Sequence, residues 1–292
     1  MRILILGGEG MLGHQLWKSW HASHEVWVTA RMDGPAYAAS DLSSPGRAIS
    51  GVDVRRLGDI VDALAMSRPE LVVNAVGIVK QRPSAKEYVP SIEVNSLFPH
   101  QLARASAASG ARMVHLSTDC VFSGDKGTYV ETDRPDPVDL YGRSKLLGEV
   151  SEASNCLTLR TSIIGLELGH RAGLVEWFLA QRGRIKGFRR AIYSGLTTAE
   201  MARAIEHLVL NEAHLSGVWH LSSAPIDKYT LLESLLSRLR PRGVEIVPDD
   251  AVVCKRDLDS TRLQARTTYR VPSWDAMLDE LADSICRRER TA

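Results

Sequence analysis

A chain of 292 residues, 44% apolar and 24% charged, suits one large α/β domain or a domain with an appended lobe, with enough apolar surface for a substantial core. Its 36 basic and 35 acidic side chains balance to a formal charge of +1, so neither a nucleic-acid nor an anionic-membrane partner is expected. No apolar run approaches the roughly 18 residues of a membrane span. Ile3 to Leu6 reads as a strand buried on both faces, too short for a signal peptide and running straight into Gly7-Gly8-Glu9-Gly10-Met11-Leu12-Gly13. Leu12, Leu16 and Trp20 then recur at helical spacing, and a second strand runs from His24 to Ala30. A helix from Asp59 to Met66 stops before Pro69, and Leu71 to Gly77 begins as another buried strand.

Ile92 to Ser109 reads as a helix bent at Pro99 and closed by Gly110. Met113 to Ser117 is the next strand, a long polar loop follows, and then come the helix carrying Tyr141 and a strand from Leu157 to Thr161. This alternation over residues 1–165 predicts a Rossmann-type, doubly wound parallel sheet. Beyond Gly165 the rhythm loosens. Gly173 to Gln181 reads as helical, a basic stretch covers Arg182 to Arg190, and Thr197-Thr198-Ala199-Glu200 fits a capping box opening a helix to Leu210. Val218 to Leu221 is strand-like, and Trp274, Leu278, Leu281 and Ile285 mark a last helix face. The expected organisation is a dinucleotide-binding domain over 1–165 and a smaller C-terminal substrate-binding lobe over 166–292, with 196–222 returning to the first domain.

Gly7, Gly10 and Gly13 form a Gly-x-x-Gly-x-x-Gly turn between a buried strand and an amphipathic helix, where backbone and helix N-terminus, including Met11 and Leu12, can cradle a pyrophosphate. The plain alternative is a strand–helix turn without a ligand. After the second strand, Ala30-Arg31 offers a guanidinium suited to a 2′-phosphate, which favours NADPH with NADH left open; Glu9 and Asp33 weigh the other way. Asp53 is a candidate for the adenine edge. Tyr141 and Lys145, four apart on one helix face, allow an ammonium to lie near a phenol and to lower its pKa from about 10 toward the acid–base range, although the spacing also arises by chance. Thr118, in Ser117-Thr118-Asp119, ends a strand at the carboxyl edge of the sheet, where it can bond a substrate oxygen or simply its own turn.

Taken together these residues resemble the extended short-chain dehydrogenase/reductase family, and most of all its dTDP-4-dehydrorhamnose reductase branch. The resemblance rests on Gly7-x-x-Gly10-x-x-Gly13, Asn74-Ala75-Val76-Gly77, Val94-Asn95, Ser117 to Gly124, Tyr141-Gly142-Arg143-Ser144-Lys145-x-x-Gly148-Glu149 and Arg160-Thr161-Ser162, in family order. It continues more weakly through Ser194 to Thr197 and Trp219 to Ser222. It implies that Tyr141 donates a proton to a keto oxygen, that Lys145 holds the nicotinamide ribose and lowers the Tyr141 pKa, that Thr118 shares the oxygen, and that Asn95 supports a water relay. It places Ala75 and Gly77 beside the cofactor, and Lys80, Asp119, Cys120, Ile163 and Arg189 on the substrate side. Cys120 and Ile163 stand where the branch usually has Tyr and Trp, so two aromatic walls are missing.

The function expected is NADPH-dependent reduction of the keto group of a nucleotide-activated 4-keto-6-deoxy sugar, in deoxysugar and cell-surface polysaccharide synthesis. A nucleotide-sugar epimerase or dehydratase with tightly held NAD would reuse the same Tyr and Lys, and a non-catalytic regulatory subunit would keep only the fold. Four scattered cysteines (Cys120, Cys156, Cys254, Cys286) without Cys-x-x-Cys predict reduced thiols in a cytoplasmic protein. His21 and His24 lack further ligands nearby, so no metal is expected. A homodimer is compatible with the sequence but not required by it.

Overall fold

The computed structural model describes residues 1–31, 47–80, 83–169, 172–239 and 243–291, which leaves Asp33 outside the described residues. In chain order come β1 (Arg2–Leu6), α1 (Met11–Trp20), β2 (Glu25–Thr29), β3 (Ala48–Ile49), α2 (Leu57–Ser67) and β4 (Leu71–Asn74). Next are α3 (Tyr88–Ser91), a π-helical segment (Ile92–Leu97), α4 (Phe98–Ala108), β5 (Arg112–Leu116), α5 (Leu140–Leu147), β6 (Cys156–Arg160), β7 (Ile163–Ile164) and α6 (Leu174–Leu179). The remainder holds β8 (Gly183–Phe188), β9 (Ala191–Tyr193), β10 (Leu196–Thr197), α7 (Thr198–Asn211), β11 (Gly217–His220), β12 (Ile226–Asp227) and α8 (Lys228–Leu236). It closes with β13 (Val244–Asp249), β14 (Cys254–Lys255), α9 (Thr261–Arg266) and α10 (Trp274–Thr291).

The central sheet has seven parallel strands in the order β11-β6-β5-β4-β1-β2-β3. The strand order reverses between β1 and β4, which opens a crevice at their carboxyl ends. Side chains alternate faces along each strand. Ile3 and Ile5 join Val73, Val114 and Leu157 in a core with α1, α7 and α10, through Leu16, Trp20, Ile205 and Leu278. Leu4 and Leu6 point the other way with Val72 and Met113, onto Ile60 of α2 and Phe98 and Leu102 of α4. Both faces are therefore covered, which is why the strands read as unbroken apolar runs.

Three local departures from the sequence reading have physical causes. The helix expected from Ile92 is already running at Tyr88, and it widens into a π turn instead of simply bending at Pro99. Proline has no N–H to give to the carbonyl four residues back, which is that of Asn95. Within the π turn just before it, Phe98 N–H bonds Glu93 O, five residues back. At the start of α7, Thr197 caps Glu200 N–H as expected (3.3 Å), but the reciprocal half of the box is absent because Arg203 and Tyr269 hold the Glu200 carboxylate. The basic stretch 182–190 is mostly strand: β8 lies parallel to β13, with Arg184 against Glu245 (3.2 Å) and Lys186 against Asp249 (2.8 Å).

After β6 the chain builds small sheets (β12-β9-β14 and β13-β8) around the carboxyl end of the main one, while β11 rejoins that sheet beside β6. Among the described residues no helix is long and apolar enough to cross a membrane. In α1, Gly13 crosses directly over the Gly7 carbonyl, and a methyl group there would overlap that oxygen. Gly13→Ala is expected to cost about 1–3 kcal/mol through forced displacement of α1, read as a lower urea midpoint; an unchanged midpoint would show that the turn relaxes freely.

Candidate active site

The glycine turn after β1 is stitched to the end of β2. Gly7 takes a φ of +87°, its N–H donates to Thr29 Oγ1 (3.2 Å), and Gly8 N–H donates to Thr29 O (2.9 Å). Gly10 starts α1 with no side-chain cap, and no acidic residue lies in the first turn. A Cβ on Gly10 would lie 3.3 Å from Gly7 O and would fill the cradle above the helix N-terminus. Met11 opens α1 over this cradle, and Leu12 behind it is buried. The N–H groups of the first helical turn, uncapped by any side chain, and the helix dipole suit an anion. Glu9, within the turn, accepts a hydrogen bond at Oε2 from Arg31 N–H (3.0 Å), so a carboxylate stands at the end of β2 beside the exposed Arg31. Ala75 follows β4 and presents its carbonyl 3.3 Å from where a Gly7 Cβ would be. Asp53 is committed to Arg55: their fork of hydrogen bonds (2.5–3.1 Å) lowers its pKa to about 2 and leaves fewer acceptor positions for an adenine edge than the sequence suggested.

Across the crevice, α5 is wedged between two backbone segments by its glycines. Asp139 caps it by accepting from Gly142 N–H (2.8 Å). A Cβ on Gly142 would overlap Cys120 O, and one on Gly148 would overlap Asn95 O, so only glycine permits the approach on either side. Asn95 accepts from Ile78 N–H (2.9 Å) and donates to Ile78 O (3.0 Å) and Ser144 Oγ (3.1 Å). Its side chain thus ties the loop after β4, including Gly77, to α5. With both N–H donors and one Oδ1 lone pair engaged, it acts here as a positioning group.

The Thr118 side chain lies close enough to the Tyr141 hydroxyl to favour its ionised form, so the structure brings the strand-end threonine and the helix tyrosine together. Thr118 also donates to Asp119 Oδ1 (3.1 Å) and accepts from Cys120 N–H (3.1 Å). Lys145 is buried and donates to Leu116 O (2.6 Å). Burial lowers its pKa to about 8, against the opposing pull of Glu149. The expected lowering of the Tyr141 pKa by Lys145 is not what this geometry produces. Burial, then the nearby Cys120 and acidic groups, push the phenol well above its ordinary value, so it is held in its protonated form. Asp119 is likewise raised by burial, and Cys120 is pushed up to about 12, a neutral thiol and not a nucleophile.

The remaining substrate-side residues divide. Lys80 reaches the cap of α5, with Nζ 2.6 Å from Asp139 Oδ2. Ile163, in β7, pairs with Leu196 and packs partly buried on the core. Arg189 is half exposed and held in a two-pronged pair by Asp250, so the structure commits it to β13's neighbour and does not join it to Thr118 and Tyr141. Two residues were missed in the sequence. Arg256 donates to Phe122 O (2.9 Å) and Ser123 O (3.2 Å) and lies 3.6 Å from Cys120 Sγ. Tyr193 buries a hydroxyl without a hydrogen-bond partner among the described residues. Both are single residues with no motif spacing to flag them. His21 stacks on Trp17 and His24 bonds Glu206 (2.8 Å), so the two imidazoles serve separate packing contacts.

Beneath the site, Glu149 and Arg160 form a buried fork (both bonds 2.8 Å), joined by Ser117 Oγ on Glu149 (2.6 Å). Glu149→Ala strands the Arg160 charge in the interior; the expected loss is about 3–5 kcal/mol in urea unfolding, whereas a loss under about 1 kcal/mol would show that the pair is not structural.

A sequence model for the family described as "RmlD substrate binding domain" matches residues 1–286. The chain is 31% identical over 238 residues to a dTDP-4-dehydrorhamnose reductase of Burkholderia thailandensis, covering 77% of this chain and 73% of that protein. It is 26% identical over 303 residues to the protein of that name from Aggregatibacter actinomycetemcomitans, covering 96% and 98%. Among solved structures, a Bacillus anthracis dTDP-4-dehydrorhamnose reductase in complex with NADP superposes with a TM-score of 0.78 at 23% identity, over 96% of this chain and 98% of that one. The family match spans both the glycine turn and the Thr118–Tyr141 set, and with the Burkholderia relative it establishes that the chain belongs to the RmlD substrate binding domain family.

Proposed function

We propose that this protein reduces the keto group of a nucleotide-activated 4-keto-6-deoxy sugar with NADPH, as a dTDP-4-dehydrorhamnose reductase-like enzyme. The observation that carries this reading is the juxtaposition of Thr118 and Tyr141, with buried Lys145 one helical turn on, set across the crevice from the glycine turn. The glycine turn fits a pyrophosphate, for Gly10 puts no side chain before the first helical N–H groups and a Cβ there would crowd Gly7 O at 3.3 Å. Gly7, Gly10, Met11, Leu12 and Gly13 would hold the dinucleotide there. A bound reduced nicotinamide supplies the hydride.

The chain's own residues handle the proton. As the carbonyl carbon gains the hydride, its oxygen takes a proton from the Tyr141 hydroxyl while Thr118 holds that oxygen in place. A phenol kept protonated by burial is suited to give, not to take, which fits the reductive direction. The phenolate left behind would be stabilised by the buried Lys145 ammonium one helical turn on, a residue that would also hold a bound dinucleotide. Asn95 and Ser144 keep α5 at fixed distance from the β4 loop, so the donor does not drift. Cys120 and Ile163 leave the sugar side of the pocket without the two aromatic walls of the rhamnose branch, which supports a nucleotide sugar of different shape.

Tyr141→Phe is expected to lower kcat about 10²- to 10⁴-fold, with dinucleotide affinity kept, in a panel of nucleotide 4-keto-6-deoxy sugars followed by NADPH oxidation. Undiminished turnover would sink the assignment. Lys145 is an ammonium below about pH 8 and loses its proton as pH rises through that value. kcat/KM should therefore fall on the alkaline side from about pH 8, and a profile flat to pH 9.5 would count against Lys145 as the cation that matters. In the folded state this lysine titrates below its unfolded value of 10.5, so its contribution to stability rises with pH between about 8 and 10.5.

A further inference from the structure

We propose that Arg256, together with Lys228, reads an anionic group of the nucleotide sugar, either its diphosphate or a carboxylate carried on the ring. The proposal rests on the proposed reduction of a nucleotide sugar and names residues that grip that substrate. Arg189 and Lys80, placed on the substrate side by the sequence, are engaged elsewhere, Arg189 by Asp250 and Lys80 by Asp139 (2.6 Å). Arg256 stands apart from these. Its Nε donates to Phe122 O (2.9 Å), Nη2 donates to Ser123 O (3.2 Å), and Nη1 lies 3.6 Å from Cys120 Sγ. Among the described residues these partners are two carbonyls and a neutral thiol, and the guanidinium forms no ion pair.

The Arg256 backbone is fixed independently of its side chain. Arg256 N–H donates to Ile192 O (2.9 Å), extending the β9–β14 pairing, and Lys255 N–H donates to Gly124 O (2.6 Å). Gly124, at a φ of +93°, lets the two segments touch, for a Cβ there would meet Cys254 Sγ at 2.8 Å and Arg256 Cγ at 3.1 Å. The adjacent carboxylate, Asp257, turns to Thr128, accepting its N–H (2.8 Å) and its hydroxyl (2.9 Å). Lys228 opens α8, and among the described residues its ammonium forms no hydrogen bond or ion pair. Burial raises the Asp119 pKa while Arg256 and, more weakly, Lys228 pull it down, so cations from two elements converge on the residue that follows Thr118. Like charges drawn to one place repel, and an anion bound there relieves the repulsion. A guanidinium has more N–H donors than these contacts use, and its planar fork matches a carboxylate or a phosphate. Because Cys120 is smaller than the tyrosine usual in the rhamnose branch, the guanidinium forms this wall of the sugar side.

The test compares the full chain with Arg256→Gln, Arg256→Lys and Lys228→Gln, each saturated with the dinucleotide. Calorimetry gives the affinity for dTDP, UDP, thymidine and uridine. NADPH oxidation gives KM for nucleotide keto sugars bearing a methyl or a carboxylate on C5. If the diphosphate is read, Arg256→Gln weakens dTDP and UDP about 10- to 100-fold, leaves the nucleosides unmoved and raises every KM alike. If a ring carboxylate is read, the diphosphates bind as before and only the KM of the carboxylate sugar rises, by the same factor. Lys228→Gln should weaken the same ligand by about three- to tenfold. Arg256→Lys keeps the charge and should restore most of the affinity, whereas a side chain that only staples the Phe122 and Ser123 carbonyls would not be rescued. A glutamine variant whose affinities and KM values all stay within about twofold of the unaltered protein overturns the assignment of that residue. So does an equal loss for nucleosides and nucleoside diphosphates. Charge-dependent binding of dTDP or UDP without reduction of any keto sugar would sink the proposed reaction while upholding the anion site.

Discussion

The buried Glu149–Arg160 fork is the contact on which the geometry of this protein turns. Glu149 lies just past the C-terminus of α5, Arg160 ends β6, Ser117 follows β5, and His220 of β11 lies 3.4 Å from the guanidinium. The guanidinium also lies 5.2 Å from the Phe122 ring, which stacks on Tyr129 at 4.1 Å. Three neighbouring strands and the Tyr141 helix therefore meet at one ion pair. Two charges with side chains only 6% exposed are tolerable because each is hydrogen-bonded along its full fork. The arrangement is directional, unlike an apolar contact, and it fixes both the rotation and the axial position of α5.

Close backbone approach does the rest. Gly142 lets α5 sit on the Cys120 carbonyl, and Gly148 lets it sit on that of Asn95. The second approach relies on the π turn, since Pro99 withdraws the helical donor from Asn95 O and leaves that carbonyl to face α5. A proline and a glycine nearly fifty residues apart are thus complementary halves of one contact. The Asn95 side chain then closes the same seam through Ile78 and Ser144.

Much of this was legible in the sequence, and the limits are physical. Runs such as Leu71 to Asn74 announce themselves because a doubly covered sheet leaves no polar face. The glycine turn and Tyr141–Lys145 are legible because fixed spacing reflects fixed geometry. Charge environments are not carried by spacing. That Leu116 O would take the Lys145 ammonium, and that burial would raise the Tyr141 pKa, depends on depth in the fold. The basic stretch gave no sign that Arg184, Lys186 and Arg189 are paired, because Glu245, Asp249 and Asp250 lie some sixty residues on, in and just past a strand whose pairing no local pattern reveals. Arg256 and Tyr193 gave no signal, being isolated residues whose setting is wholly tertiary.

The return of β11 to the edge of the central sheet gives the molecule an unusual kind of indivisibility. The chain between β6 and β11 leaves and re-enters at adjacent strands, and its β8 and β9 are completed by β12, β13 and β14 from beyond β11, so this segment is sewn in at both ends. Removing it would leave β13 and β14 without the strands they pair with, and losing β11 with it would expose a row of unpaired amides and carbonyls along β6. Such a protein cannot acquire a new substrate by exchanging a module. It can do so only by substitution in place, residue by residue, at positions such as Cys120 after β5 and Ile163 in β7.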